Sequence, residues 1–325
     1  MLNFFQHPIF AQKHGQVLVD SLLEVLHATK ENSVDSTTIT LLIELAYQYH
    51  KIDPDTGIKY GEQALVLSNQ INWKQGISSA KNRIGLCYWA KSDFPKSLEY
   101  HFAALKLAEE INDKKGIATI CGNIGLTYND QQNFSKALEF HFKALTLNEE
   151  LKDKSKIALN LGNIGIVYDA QGNYKESLEY YSKALKMYGE LNDKGGVARN
   201  LGNIGFVYQE LYNPTQALEY YFKALAINQE LGNKILTGIN LGNIGEEYFN
   251  IASDTSVAAA KKLPDSLQKS VALFKARQYL KKAIFIFEEV GDNYSLSELY
   301  HYLSNLEALA GNYRESLEAY KKFSA

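Results

Sequence analysis

The stretch Asn160-Leu161-Gly162-Asn163-Ile164-Gly165-Ile166-Val167-Tyr168-Asp169-Ala170-Gln171-Gly172-Asn173-Tyr174 decides how this chain folds. Its apolar residues Leu161, Ile164, Val167 and Tyr168 recur at helical spacing. Gly172-Asn173 then breaks the helix, and Asn173 stands where it can cap a second one through Leu178, Tyr181, Leu185 and Tyr188. Outward from here, Ile-Gly returns at one constant interval, as Ile84-Gly85, Ile124-Gly125, Ile204-Gly205 and Ile244-Gly245. A tyrosine lies three residues after each glycine: Tyr88, Tyr128, Tyr168, Tyr208 and Tyr248. Ala64, Ala104, Ala144, Ala184 and Ala224 keep the same interval, and Asp93, Asn133 and Asn213 repeat the cap. A two-helix unit cannot bury its apolar face alone, so copies of it must stack on one another.

The small residues fit that stacking. Gly85 with Ser97, Gly125 with Ala137, Gly165 with Ser177 and Gly205 with Ala217 allow the two helices of a unit to cross closely. The ends are less regular. Residues 1–35 read as an N-terminal capping helix region around Val17–Thr29, and 36–325 as a solenoid of about seven helix pairs. Leu45 replaces the glycine in the first pair, and Asp53-Pro54-Asp55 starts its second helix. Beyond Gly245 the period slips. The alanine that should follow Ala224 after one interval comes only at Ala283, which places an insertion at about 251–269. The chain ends at Ala325 inside an expected second helix, which points to a piece of a longer protein.

With 46% hydrophobic residues among 325, the chain has ample material for a core and is not a disordered one. A net charge of −3 argues against a nucleic-acid partner, and no stretch approaches the ~20 apolar residues of a membrane helix. Cys87 and Cys121 cannot form a disulfide framework. No phosphate-cradling loop, HExxH or GxSxG occurs, so neither catalysis nor a cofactor is expected. The compartment stays open: cytoplasmic on the chain as it stands, periplasmic if a leader has been trimmed.

The order Leu161, Ile164-Gly165, Tyr168, Ser177, Tyr181, Ala184 resembles the tetratricopeptide repeat, over roughly residues 37–325. The unit is longer than that family's usual ~34 residues, which suggests a lengthened second helix and loop. The resemblance implies an all-α, right-handed superhelical solenoid of antiparallel helix pairs that binds peptides or proteins. This longer form is similar to kinesin light chain, to Pins-like adaptors and to sensor regions of bacterial histidine kinases and nucleotide cyclases. The implied role is the sensory or partner-binding region of a larger bacterial signalling protein, with a free-standing adaptor as the alternative.

In that family the first helix of each pair lines a concave groove, where an asparagine often grips a peptide backbone. Asn123, Asn163, Asn203 and Asn243 occupy the matching place, and a carboxamide can serve both the C=O and the N–H of one peptide unit. Gly122, Gly162, Gly202 and Gly242 precede them at about 1 kcal/mol each against alanine. They either clear the groove floor or bring successive first helices together. Leu126, Ile166 and Phe206 would form apolar pockets, and Glu246 continues their row. Arg83 replaces the ladder asparagine and would hold an acidic group, with Arg199 as a second basic exception on a rim of Asp130, Asp169, Glu210 and Glu246. Packed helices lie about 8–10 Å apart, and a polyproline-II chain shows one face about every 9 Å, so the expected partner is an extended peptide or protein segment. His101 and His141 lack a third ligand, so they are read as core residues and no metal is expected.

Overall fold

The computed structural model describes residues 8–28, 35–253 and 268–324. Among these residues there are fifteen helices and no strand. In order they are α1 (Pro8–Ala28), α2 (Ser36–Tyr49), α3 (Pro54–Gln70), α4 (Lys74–Ala90), α5 (Phe94–Glu110), α6 (Lys114–Asp130), α7 (Phe134–Glu150) and α8 (Lys154–Ala170). There follow α9 (Tyr174–Glu190), α10 (Lys194–Glu210), α11 (Pro214–Glu230), α12 (Lys234–Ser253), α13 (Lys269–Val290), α14 (Asn293–Leu309) and α15 (Tyr313–Phe323). Two compact units are present, one running to Ala184 and the other beginning at Leu185. Most of the insertion expected at 251–269 lies outside the described residues, as does Thr29 at the end of the expected cap. No described helix is long and apolar enough to cross a membrane.

The period has a simple origin. From α4 to α11 every helix has 17 residues. The connections between them, such as 91–93, 111–113 and 131–133, are equally uniform, so successive pairs keep one interval. The additional length relative to the common repeat is therefore shared by both helices, and the connections stay short because each is closed by the same device. A residue at positive φ ends the helix: Asn112 at 54°, Lys152 at 56°, Tyr212 at 54°. The next residue then turns its own N–H back, as Asp113 does to the Ala108 carbonyl at 2.9 Å. Its side chain caps the following helix: Asp113 accepts from the Gly116 N–H at 2.9 Å, and Asp93, Asn133, Asp153, Asp193 and Asn213 accept in the same way. Non-glycine residues enter this conformation at about 1 kcal/mol each.

Within each unit the pairs bury the repeated residues. Ile84, Ile124, Ile164 and Ile244 are all 0% exposed, as are Ala64, Ala104, Ala144, Ala184 and Ala224. The repeated tyrosines stack on an aromatic of the second helix, Tyr88 on Tyr100, Tyr168 on Tyr180 and Tyr208 on Tyr220, each with ring centroids 5.5 Å apart. A lysine covers the outer ring, as Lys96 does over Tyr88. Lys74–Glu110 and Lys114–Glu150 join one first helix to the end of the next second helix at the surface.

Candidate functional site

The two glycines in each Gly-Asn-Ile-Gly motif do different work. A Cβ on Gly165 would stand 2.7 Å from Tyr181 ring carbons, on Gly205 2.7 Å from Tyr221, and on Gly125 2.7 Å from His141. These positions are where a first helix meets the ring of its own partner. Gly122 has nothing within 4 Å, and Gly202 would meet only the Asn240 amide at an ordinary 3.8 Å. At those two positions close approach between successive first helices does not account for the glycine.

The asparagines beside them are not equivalent. In the unit ending at Ala184, Asn123 is half-buried and its Nδ2 donates to Asn82 Oδ1 on α4 at 3.0 Å. The same oxygen lies 2.8 Å from His101 Nδ1 on α5. One of the two Asn123 N–H groups is thus committed to holding α6 against α4. Asn163 is half-buried and makes no hydrogen bond to a described residue. In the unit beginning at Leu185, Asn243 is likewise half-buried and uncommitted, whereas Asn203 is 7% exposed.

Leu126, Ile166 and Phe206 follow on the same helices and are half-buried. Glu246, at the Phe206 place in α12, accepts from Gln209 Nε2 at 3.1 Å and from the Tyr302 hydroxyl on α14. Burial pushes its carboxyl above the ordinary range. Arg83 lies over the Tyr47 ring, 4.4 Å from its centroid, with its guanidinium largely desolvated. Arg199 is exposed one turn before Asn203 on the same face of α10. Asp130 is tied to α4 by the Trp89 indole, which donates to it at 2.7 Å. His101 and His141 are 0% exposed and pack on the crossing glycines, as Tyr181 and Tyr221 do in the following repeats.

Other polar residues became visible only in three dimensions. Buried amide pairs link neighbouring helices, Asn148 to Asn160 at 3.0 Å and Asn228 to Asn240 at 2.7 Å. Glu247, 4% exposed, occupies the register of Thr127, Val167 and Val207, each 0% exposed. A signal existed in the sequence: it is a carboxylate in a column otherwise filled by Cys, Thr and Val. Burial pushes its carboxyl up to about 7, with Glu246 repelling its charged form as the next cause. A raised carboxyl keeps its proton in the folded state after the unfolded chain has lost it. Its contribution is therefore intact below pH ~4.5 and is lost as pH rises toward 7. Glu247→Gln is expected to stabilise the protein by up to about 3 kcal/mol at pH 8 and by almost nothing at pH 4, measured by urea denaturation at both values.

Family models described as tetratricopeptide repeat match residues 76–150, 116–190 and 197–231. No curated protein matches the chain. Among solved structures, the BtubC (BKLC) protein of P. vanneervenii aligns with a TM-score of 0.60 and 18% identity, over 74% of this chain and 93% of that one. A Rap protein complexed with competence and sporulation factor aligns at 0.60 and 17% identity, over 97% and 86%. A STAND (signal transduction ATPase with numerous domains) protein with a tetratricopeptide repeat sensor, from Pyrococcus horikoshii, aligns at 0.70 and 20% identity. That match covers 97% of this chain and 46% of the archaeal one. Identities this low establish a shared fold.

Proposed function

We propose that this tetratricopeptide-repeat protein holds an extended peptide or protein segment against its first helices, without catalysis of its own, as the partner-binding region of a bacterial signalling protein. The observation that carries the reading is the pair of half-buried, uncommitted carboxamides, Asn163 and Asn243. Gly122 faces empty space, and Asn163 and Asn243 have hydrogen-bonding capacity that no described residue uses. A glycine in a helix interior costs about 1 kcal/mol, and the open Gly122 beside Asn123 suits close approach by another backbone. The half-buried Leu126, Ile166 and Phe206 supply apolar contacts beside it. The likeness to a Rap protein complexed with a competence and sporulation factor, and to a STAND protein's sensor, supports a signalling context.

The roles divide by geometry. In the unit ending at Ala184, Asn163 contacts a segment and Asn123 offers what its bond to Asn82 leaves free; in the unit beginning at Leu185, Asn243 contacts a segment and Asn203 contributes least. A peptide array probed with the purified chain tests this. Asn163→Ala/Asn243→Ala is expected to weaken the captured peptides by about tenfold or more, the loss of one to two backbone-directed hydrogen bonds. Asn203→Ala is expected to change little. Undiminished binding by the double variant, at unchanged helicity, overturns the proposal.

A further inference from the structure

In the unit beginning at Leu185, the surface of α13 departs from the repeat in one direction. Tyr279 stacks on Tyr248 as Tyr220 does on Tyr208, which fixes the register of α13 against the earlier second helices. Where those helices carry Pro95, Ser135, Lys175 and Thr215, α13 carries Phe274. Where they carry Lys106, Thr146, Lys186 and Ala226, it carries Phe285. Both rings are exposed, at 63% and 68%, and a separation of three helical turns puts them on one face. Beside Phe285 a cleft of about 370 Å³ runs between α11, α12 and α13, with Thr237, Leu241 and Ile286 in its wall. Leu241 precedes Asn243 by two residues and so lies on the opposite side of α12, which separates this cleft from the amide row.

The charges at the cleft change with the rings. In the earlier second helices Lys143 pairs with Glu109 at 2.9 Å, and Lys183 with Glu179 and Lys223 with Glu219 at 2.6 Å. Lys282 has the register of these lysines, but Gln278 stands in the place of Glu179 and Glu219, and Gln229 in the place of Glu109. Each exchange removes a charge and keeps the shape of the side chain. Lys282 lies over the Tyr279 ring, 5.4 Å from its centroid, and forms no ion pair with a described residue. Lys281 is exposed beside it. Glu307, the carboxylate on which Lys281 acts, is already gripped by Arg277 through two hydrogen bonds of 2.6 Å. An apolar cleft rimmed by lysines is complementary to an apolar side chain flanked by carboxylates. We propose that this face of α13 docks an acidic amphipathic helix of another protein. One apolar side chain of that helix enters the cleft against Leu241 and Phe285, a second covers Phe274, and Asp or Glu between them meets Lys281 and Lys282. Phe274 and Phe285 stand about 16 Å apart along α13, a distance that two apolar residues on the same face of a partner helix span. The concave wall fits a side chain better than it fits a flat lipid surface.

A displayed library of helices about 16 residues long, with Leu or Phe along one face and Asp, Glu, Asn, Gln, Lys or Arg at the flanking places, is selected on the full chain. Enrichment of helices with carboxylates beside the apolar row is expected, and the recovered peptides are measured by fluorescence anisotropy. Phe285→Thr, which restores the residue of the Thr146 place at an exposed position, is expected to weaken them about tenfold or more. Lys281→Gln/Lys282→Gln is expected to do the same. Gln278→Glu, which returns to Lys282 the counter-ion that Lys183 and Lys223 have, is expected to weaken binding about threefold at unchanged helicity. Peptides remade with Gln for their acidic residues should lose about tenfold on the wild type and almost nothing on the double lysine variant. No enrichment, enrichment of neutral or basic helices, or binding indifferent to Phe285→Thr overturns the proposal. Vesicles of phosphatidylserine and phosphatidylcholine are expected not to sediment the chain, and sedimentation abolished by Phe285→Thr would assign the face to a membrane surface and overturn it as well. Asn163→Ala/Asn243→Ala is expected to leave helix binding unchanged, so the amide reading and this one fail separately.

Discussion

Gly165→Ala is expected to cost about 2 kcal/mol of stability and Gly122→Ala to add about 1 kcal/mol, a difference of about 3 kcal/mol between the two glycine positions of the repeat motif. The helix-propensity gain is the same for both, so local sequence predicts equal stabilisation. Packing separates them. The new methyl at 165 would stand 2.7 Å from two carbons of the Tyr181 ring, and that ring is 1% exposed, so the conflict falls on a side chain with nowhere to move. Overpacking of this kind costs about 1–3 kcal/mol and outweighs the propensity term. At 122 the methyl meets nothing within 4 Å. Urea denaturation of the two variants measures both signs. If Gly122→Ala also weakens peptide capture while stabilising the fold, its glycine serves a visitor and not the helix. A destabilised Gly122→Ala would mean that this surface is packed after all.

Acidification is expected to remove about 2 kcal/mol at pH 5 for each of His50, His101 and His141, together enough to threaten a domain of ordinary stability. Burial drives all three down, to about 4, 3 and 4 respectively. Each ring is neutral in the folded state, while the unfolded chain takes up a proton below pH ~6.5. Their contribution is therefore complete above that value and is lost as pH falls through the unfolded pKa toward the folded ones. This is the opposite sense to Glu247. All three histidines lie in the unit ending at Ala184, so amide exchange there should accelerate first between pH 6.5 and 4. His141→Tyr tests the assignment. Both ring nitrogens of His141 are buried without a described partner, and so is Asn129 Oδ1. Asn129 has the register of Gln209, which accepts from the Tyr221 hydroxyl at 2.8 Å. The variant should abolish the His141 share of the acid loss. An unchanged acid midpoint, read by circular dichroism, would show that His141 does not drive it.

The fold was legible because its determinants are local and repeated. Ile164, Ala184, the cap at Asn133 and the tyrosine at 168 each recur once per repeat, and recurrence separates a structural residue from an accidental one. The division of labour inside Gly-Asn-Ile-Gly was less legible. Spacing placed Asn123, Asn163, Asn203 and Asn243 in one row, yet Asn123 is committed to Asn82, which comes from another repeat and follows no period, and Asn203 is buried where Asn163 and Asn243 are half-buried. Arg83 reads as a waiting cation, but Tyr47 lies beneath its guanidinium. Glu247 broke a column of Cys, Thr and Val, and only the packing revealed that its Oε2 is buried without a hydrogen-bond partner among the described residues.

Sequence by itself determined the paired helices, their constant interval and the caps at Asp93, Asn133 and Asn213, because these follow from periodicity and from hydrogen bonds that span only a few residues, whereas the equal length of the two helices, where the interval alone suggests a longer second helix, emerged from the structure. Tertiary structure alone decided which polar atoms are spent and which remain available. A side chain's hydrogen bonds and solvation belong to whatever lies opposite it, and in a stack of repeats that neighbour comes from a different copy, as Asn82 does for Asn123 and Trp89 for Asp130.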